Sequence, residues 1–175
     1  MKRKNILAVC GSLRARSSNL SLLQAAKTLV AETFEFTFFE GLGDLPHFNP
    51  DKDGEDALEP VAEFRNLLKG ADGVIICTPE YVHGLPGSLK NAIDWTVSSG
   101  EWMEKPVLIL NASPVSHFAQ DSLVEILTTL MARVVARPVP LPGNRLDDTA
   151  MLANGDVSQR LGKALDDFCI EMESK

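Results

Sequence analysis

Three short segments of almost unbroken apolar character, Asn5–Val9, Gly73–Cys77 and Val107–Asn111, constrain this chain more than any other feature. Each reads as a buried strand, and helical periodicity fills the stretches between them. Strands that are apolar along their whole length belong to a parallel sheet covered on both faces, because a sheet with one wet face alternates. The spacing predicts helices over Ser18–Ala31, Ala57–Lys69, Leu85–Ser98 (with Pro86 in its first turn), Phe118–Met131 and Val157–Met172. Two further strands fall at Phe34–Phe39 and Val134–Arg137, and residues 41–56 form a long loop rich in Gly, Pro, Asp and Asn. The expected fold class is α/β: a three-layer α/β/α sandwich around a five-stranded parallel sheet of order 2-1-3-4-5.

An open sheet of this kind binds its ligand outside the carboxyl ends of the strands, where the chain direction reverses. In the expected order that point lies between the strands ending at Cys10 and Cys77. Two loops about 70 residues apart leave the sheet there, Gly11-Ser12-Leu13-Arg14-Ala15-Arg16-Ser17-Ser18-Asn19 and Thr78-Pro79-Glu80-Tyr81-Val82-His83-Gly84-Leu85-Pro86-Gly87. The first packs hydroxyls, an amide and a guanidinium into the start of a helix, whose unpaired N–H groups already favour an anion. Ser12, Arg14, Ser17, Ser18 and Asn19 are its candidate phosphate ligands, and Arg16 is a solvated neighbour. The second sets one Tyr and one His among two Pro and two Gly, which suits an exposed loop lying against a planar ring. The simpler reading stays open beside each: the hydroxyls as an ordinary helix cap, Tyr81 and His83 as loop surface.

Composition narrows the function. A chain of 175 residues, 45% hydrophobic, is the size of one domain and builds a core without disulfide or metal support. Its formal net charge of −7 argues against a nucleic-acid or anionic-membrane partner, so an anionic ligand needs a local positive site. The basic start Met1-Lys2-Arg3-Lys4 precedes an apolar stretch too short for a signal peptide, and no run approaches a membrane span. The expectation is a soluble, cytoplasmic protein. Cys10, Cys77 and Cys169 are odd in number and lack metal-ligand spacing, so neither a disulfide framework nor a zinc site is indicated. Cys10 and Cys77 end adjacent strands beneath the two loops, either as small buried hydrophobes or as redox groups.

The first loop matches neither the GxGxxG dinucleotide fingerprint nor the GxxxxGK[ST] triphosphate loop. A phosphate monoester carrying a large flat ring, such as FMN, fits better. GSLRARSSN together with TPEYVHGLPGSLKNAIDW resembles the NADPH-dependent FMN reductase family, flavodoxin-like enzymes that include quinone, azo-dye and chromate reductases. The resemblance covers both motifs and the element order across nearly the whole chain. It implies FMN phosphate on Ser12, Arg14, Ser17, Ser18 and Asn19. It implies the isoalloxazine against Pro79, Glu80, Tyr81, Val82, His83 and Gly84, with the other side closed by the loop Asn111–His117 and Ser113 within it. Many relatives carry Asn where this chain has Val82, and Ser where it has Gly84.

The sequence offers no acid/base pair, no nucleophile beside a base and no metal cluster, so the cofactor carries the chemistry and the protein positions it. The resemblance implies a ping-pong cycle in which NADPH gives hydride to flavin N5 and a small-molecule electron acceptor then takes two electrons at the same place. It also implies a homo-oligomer, dimer or tetramer, near whose boundary the flavin lies. The long 41–56 loop is a candidate contributor there. Trp95, on the helix whose apolar face is Leu89, Ala92 and Ile93, reads as core or subunit interface, and Lys90 with Asp94 as an i, i+4 pair. Two rivals remain: an electron-carrying flavodoxin that is not reduced directly by NADPH, and an α/β module that has lost its flavin.

Overall fold

The computed structural model describes residues 3–54, 58–143 and 146–174. In chain order the elements are β1 (Lys4–Cys10), α1 (Ser18–Leu29), β2 (Phe34–Phe39), α2 (Glu59–Gly70), β3 (Gly73–Cys77), α3 (Gly87–Asp94), β4 (Pro106–Asn111), α4 (Phe118–Thr129), β5 (Arg133–Pro138), α5 (Asp148–Ala153) and α6 (Gly155–Glu173). The five strands form one sheet, ordered β2-β1-β3-β4-β5, and every pairing is parallel. This is the expected flavodoxin-like sandwich.

Alternate residues of the central strands feed two cores. Leu7, Val9, Val74, Ile76, Val107 and Ile109 pack with Phe64 and Leu68 of α2, Ile93 of α3 and Leu123 and Leu127 of α4. Ile6, Ala8, Ile75, Leu108 and Leu110 face the opposite way, onto α1, α5 and α6. The near-continuous apolar runs are thus strands buried on both sides. Gly73 opens β3 because α6 leaves no room there: a Cβ would lie 2.7 Å from Phe168 Cζ.

Two helices depart from the sequence reading. α3 spans Gly87–Asp94, not Leu85–Ser98, and Pro86 is its N-cap instead of lying in its first turn. Leu85 precedes a proline and is biased to extended backbone. At the other end Thr96 N–H and Oγ1 both bond Ile93 O, and the chain turns away. The short helix α5 was not expected. Its signal was present in Asp147, whose side chain accepts from Ala150 N at 2.8 Å, while Asn154 ends it and caps α6 by accepting from Val157 N.

The 41–56 loop is held by its own chain. Asn91 accepts from Phe48 N at 2.8 Å and donates to Pro46 O at 2.9 Å, and Trp95 Nε1 donates to the same carbonyl at 2.7 Å. Trp95 is fully buried. Arg65 of α2 completes the clasp, bonding Asp53 at 2.6 Å and the Trp95 carbonyl. Its guanidinium holds the Asp53 carboxyl below the usual range, against a smaller opposing effect of burial and with help from Ser98. Residues 55 and 56 of the loop, and Ala57 at the expected start of α2, lie outside the described residues. The expected Lys90–Asp94 pair is formed at 2.6 Å.

Candidate active site

β1 and β3 end side by side, with Cys10 in register with Cys77. The loops that leave them are locked together at their bases. Gly11 N donates to Cys77 O at 2.9 Å, and a Cβ on Gly11 would lie 2.2 Å from Thr78 Oγ1, so only glycine allows this approach. Above this junction opens a cleft of about 440 Å³, in the size range of small-molecule sites. Of the residues singled out from sequence, Ser12, Arg14, Ser17, Ser18, Asn19, Pro79, Glu80, Tyr81 and Ser113 line it together. Val82, His83 and Gly84 lie on the same loop outside the lining. Arg16, read as a solvated neighbour, does line it.

The first loop divides its polar groups between scaffold and cleft. Ser17 is the N-cap of α1, its Oγ accepting from Asn19 N at 3.2 Å, and Ser12 Oγ accepts from Arg14 N at 3.3 Å. The side chains of Arg14, Arg16 and Ser18 form no hydrogen bond or ion pair among the described residues, so the start of α1 carries open donors and positive charge in a net acidic chain.

The second and third loops are tied to each other and to themselves. Tyr81 and Gly84 bond each other through both N–H and C=O, leaving Val82 and His83 as a two-residue hairpin turn with φ of 51° and 57°. Positive φ at both central positions belongs to a type I′ turn, which favours Asn and Gly and strains a β-branched residue. The Val82 side chain is nevertheless here, and fully exposed. Glu80 Oε2 accepts from Ala119 N in the first turn of α4 at 3.0 Å, and His83 stacks on Phe118, ring centroids 4.2 Å apart, with His117 on Phe118 at the same spacing. Ser113 Oγ donates to Ser116 Oγ at 3.0 Å and accepts from Val115 N and Ser116 N, so its hydroxyl organises its own loop.

Gln120 escaped the sequence reading. It stands in the first turn of α4, lines the cleft, and its buried Oε1 has no hydrogen-bond partner among the described residues. Helical position alone gave no signal for it, because only the fold brings α4 to the cleft. Burial raises the pKa of the thiols of Cys10 and Cys77. Both therefore stay protonated at neutral pH.

Comparison with known proteins places the chain in a family. Residues 4–144 match the family model described as NADPH-dependent FMN reductase. The chain belongs to the NADPH-dependent FMN reductase family. These are oxidoreductases, flavoenzymes that use FMN with a nicotinamide nucleotide. The chain is 39% identical over 111 residues to a 2-hydroxy-1,4-benzoquinone reductase of a Burkholderia species, a match spanning 62% of this chain and 60% of that one. It is 33% identical over 130 residues to a quinone reductase of Pseudomonas putida, 69% of each chain. Among solved structures, the FerB flavoenzyme of Paracoccus denitrificans, an NAD(P)H:(acceptor) oxidoreductase, superposes with a TM-score of 0.78 at 28% identity over 97% of both chains. Among the described residues of this FMN reductase family member, no helix is long and apolar enough to cross a membrane.

Proposed function

We propose that the protein is an FMN-dependent NAD(P)H oxidoreductase that delivers two electrons from NADPH, in a ping-pong cycle, to a small acceptor such as a quinone, azo compound, metal oxyanion or free flavin. The observation that carries this reading is the convergence, over the ends of β1 and β3, of open anion-binding groups with a cleft walled by Pro79 and Tyr81. The orphaned Gln120 Oε1 supports the fit to FMN, since it calls for an N–H or O–H donor and FMN carries both in its ring and ribityl chain.

When bound, FMN supplies the two-electron chemistry. The residues of this chain bind and orient it. Arg14, with Ser12, Ser18, Asn19 and the first-turn N–H groups that Ser17 holds in place, neutralises the phosphate. Pro79 and Tyr81 give the ring a flat apolar bed, with Glu80, Val82, His83 and Gly84 shaping the loop and Ser113 stiffening the opposite wall. The N–H groups of Glu80, Val82 and His83 form no hydrogen bond among the described residues, whereas those of Tyr81 and Gly84 are used by the hairpin. The open three are donors for the negative charge that reduction brings to the site, a role that needs no particular side chain at residue 82.

Leu13, Tyr81, Val82 and Val115 on the loops around the cleft, and Phe118 at the start of α4, are large, exposed and apolar. This supports a homo-oligomer whose boundary adjoins the site. The decisive experiment is the anaerobic absorption spectrum of the FMN-reconstituted protein before and after NADPH, with NADH in parallel. Rapid bleaching of a perturbed flavin band is the expected result. A bound flavin that stays yellow with both nucleotides means a carrier, and absence of bound flavin sinks the assignment.

A further inference from the structure

Directly under the phosphate loop the two strand-end thiols make polar contacts that packing does not require: Cys10 Sγ lies 3.5 Å from Ser12 O, and Cys77 reaches across to α1. Cys77 ends β3, is fully buried, and its Sγ lies 3.2 Å from Oδ1 of Asn19 in the first turn of α1. The two residues are 58 positions apart in sequence. Most of the surroundings of Cys77 are apolar, with Ile75, Leu22 and Leu110 in the same core. Burial pushes its thiol well above the usual range, with Cys10 alongside adding to that push and the Ala112 N–H opposing it. The group is therefore S–H, a donor, and Asn19 Oδ1 is the acceptor it meets, at 3.2 Å.

An amide has one acceptor end and one donor end. A donor fixed on Oδ1 determines which way the Asn19 side chain faces. Its Nδ2, which has no partner among the described residues, is then the end left to the cleft that Asn19 lines. We propose that Cys77 is a positioning residue for phosphate recognition: its thiol holds Asn19 Oδ1 against the sheet and so presents the Asn19 Nδ2 donors to the phosphate of the bound mononucleotide. This rests on the FMN reading above. It also gives a reason for sulfur at the end of β3. A thiol is cheaper to bury than a hydroxyl, and unlike Ala or Val it still donates.

The test compares FMN with riboflavin, which lacks the phosphate, each titrated into the full-length flavin-free protein and followed by flavin fluorescence. Wild type prefers FMN. Cys77→Ala lowers that preference by about 3- to 10-fold, through weaker FMN binding alone, the range of one hydrogen bond. Cys77→Ser, which keeps a donor, restores it. Asn19→Asp, which is nearly isosteric and presents no donor, loses the preference by itself, and adding Cys77→Ala to it changes nothing further. An unchanged preference in Cys77→Ala overturns the proposal. So does an equal loss for both flavins, or a Cys77→Ser variant that falls as far as Cys77→Ala, since each makes the thiol a packing group. If Cys77→Ala does not fold, Asn19→Asp decides: wild-type preference in that variant overturns the proposal. A wild-type protein that binds neither flavin overturns the FMN reading itself.

Discussion

The two loops that meet over β1 and β3 use their polar residues in opposite ways. In residues 11–19 the cap and the turn consume Ser17 and Ser12, while the side chains of Arg14, Arg16 and Ser18 have no partner among the described residues. In residues 79–84 and the facing 111–117 loop, most polar side chains are held within the protein: Glu80 on Ala119 N, Asn111, Ser113 and Ser116 within their own turn, and His83 and His117 stacked on Phe118. One region is built to receive a ligand through side chains, and the other to be a stiff wall that offers backbone. Substitutions of the open groups Arg14, Arg16 and Ser18 should therefore change affinity and leave stability alone, and substitutions in the second region the reverse.

The largest expected effect tests the receiving loop. Arg14→Ala should weaken FMN binding by about 1.5–3 kcal/mol, the worth of a charge-assisted hydrogen bond, with riboflavin affinity and thermal stability unchanged. Equal FMN affinity in the variant would remove the phosphate assignment.

A control outside the cleft lining comes next. Asp53→Asn breaks the clasp with Arg65 and should cost about 1–3 kcal/mol of stability in urea, with FMN affinity untouched. Because the Asp53 pKa is lowered in the folded protein, its contribution is complete at neutral pH and is lost as pH falls through the folded value, below the ordinary carboxylate pKa of about 3.9. The stability gap between wild type and variant should close in acid. A gap that is constant with pH would mean the carboxylate charge is not involved.

In the wall, Glu80→Ala should cost about 0.5–2 kcal/mol through the loss of its bond to the α4 terminus, as for a helix cap, read by chemical denaturation. If FMN affinity falls while stability holds, the division between the loops fails. The smallest effect is a gain: Val82→Asn should relieve left-handed strain and add about 1 kcal/mol of stability. No gain in melting temperature would show that the turn adopts another conformation in solution.

The layered fold was legible because apolar runs such as Gly73–Cys77 and the periodic helices between them are local signals that admit few arrangements. Element ends were less so. α3 stops at Asp94 because Thr96 folds back onto Ile93, a competition that periodicity over Leu85–Ser98 does not register. α5 was marked only by Asp147 and Asn154 as caps, with a single buried residue, Met151, to give it a pattern.

For the site, the sequence by itself determined the two loops, their place at the ends of β1 and β3, and the chemistry suited to each. Residue type and strand order are enough for that. Only the tertiary structure decided which groups are open and which are spent: Glu80 on Ala119, Ser113 on Ser116, Cys77 on Asn19, Asn91 on Pro46, and Gln120 Oε1 without a partner among the described residues. Most of these bonds join residues tens of positions apart. A hydrogen bond depends on distance in space, and for such pairs that distance exists only after the sheet has brought the loops together.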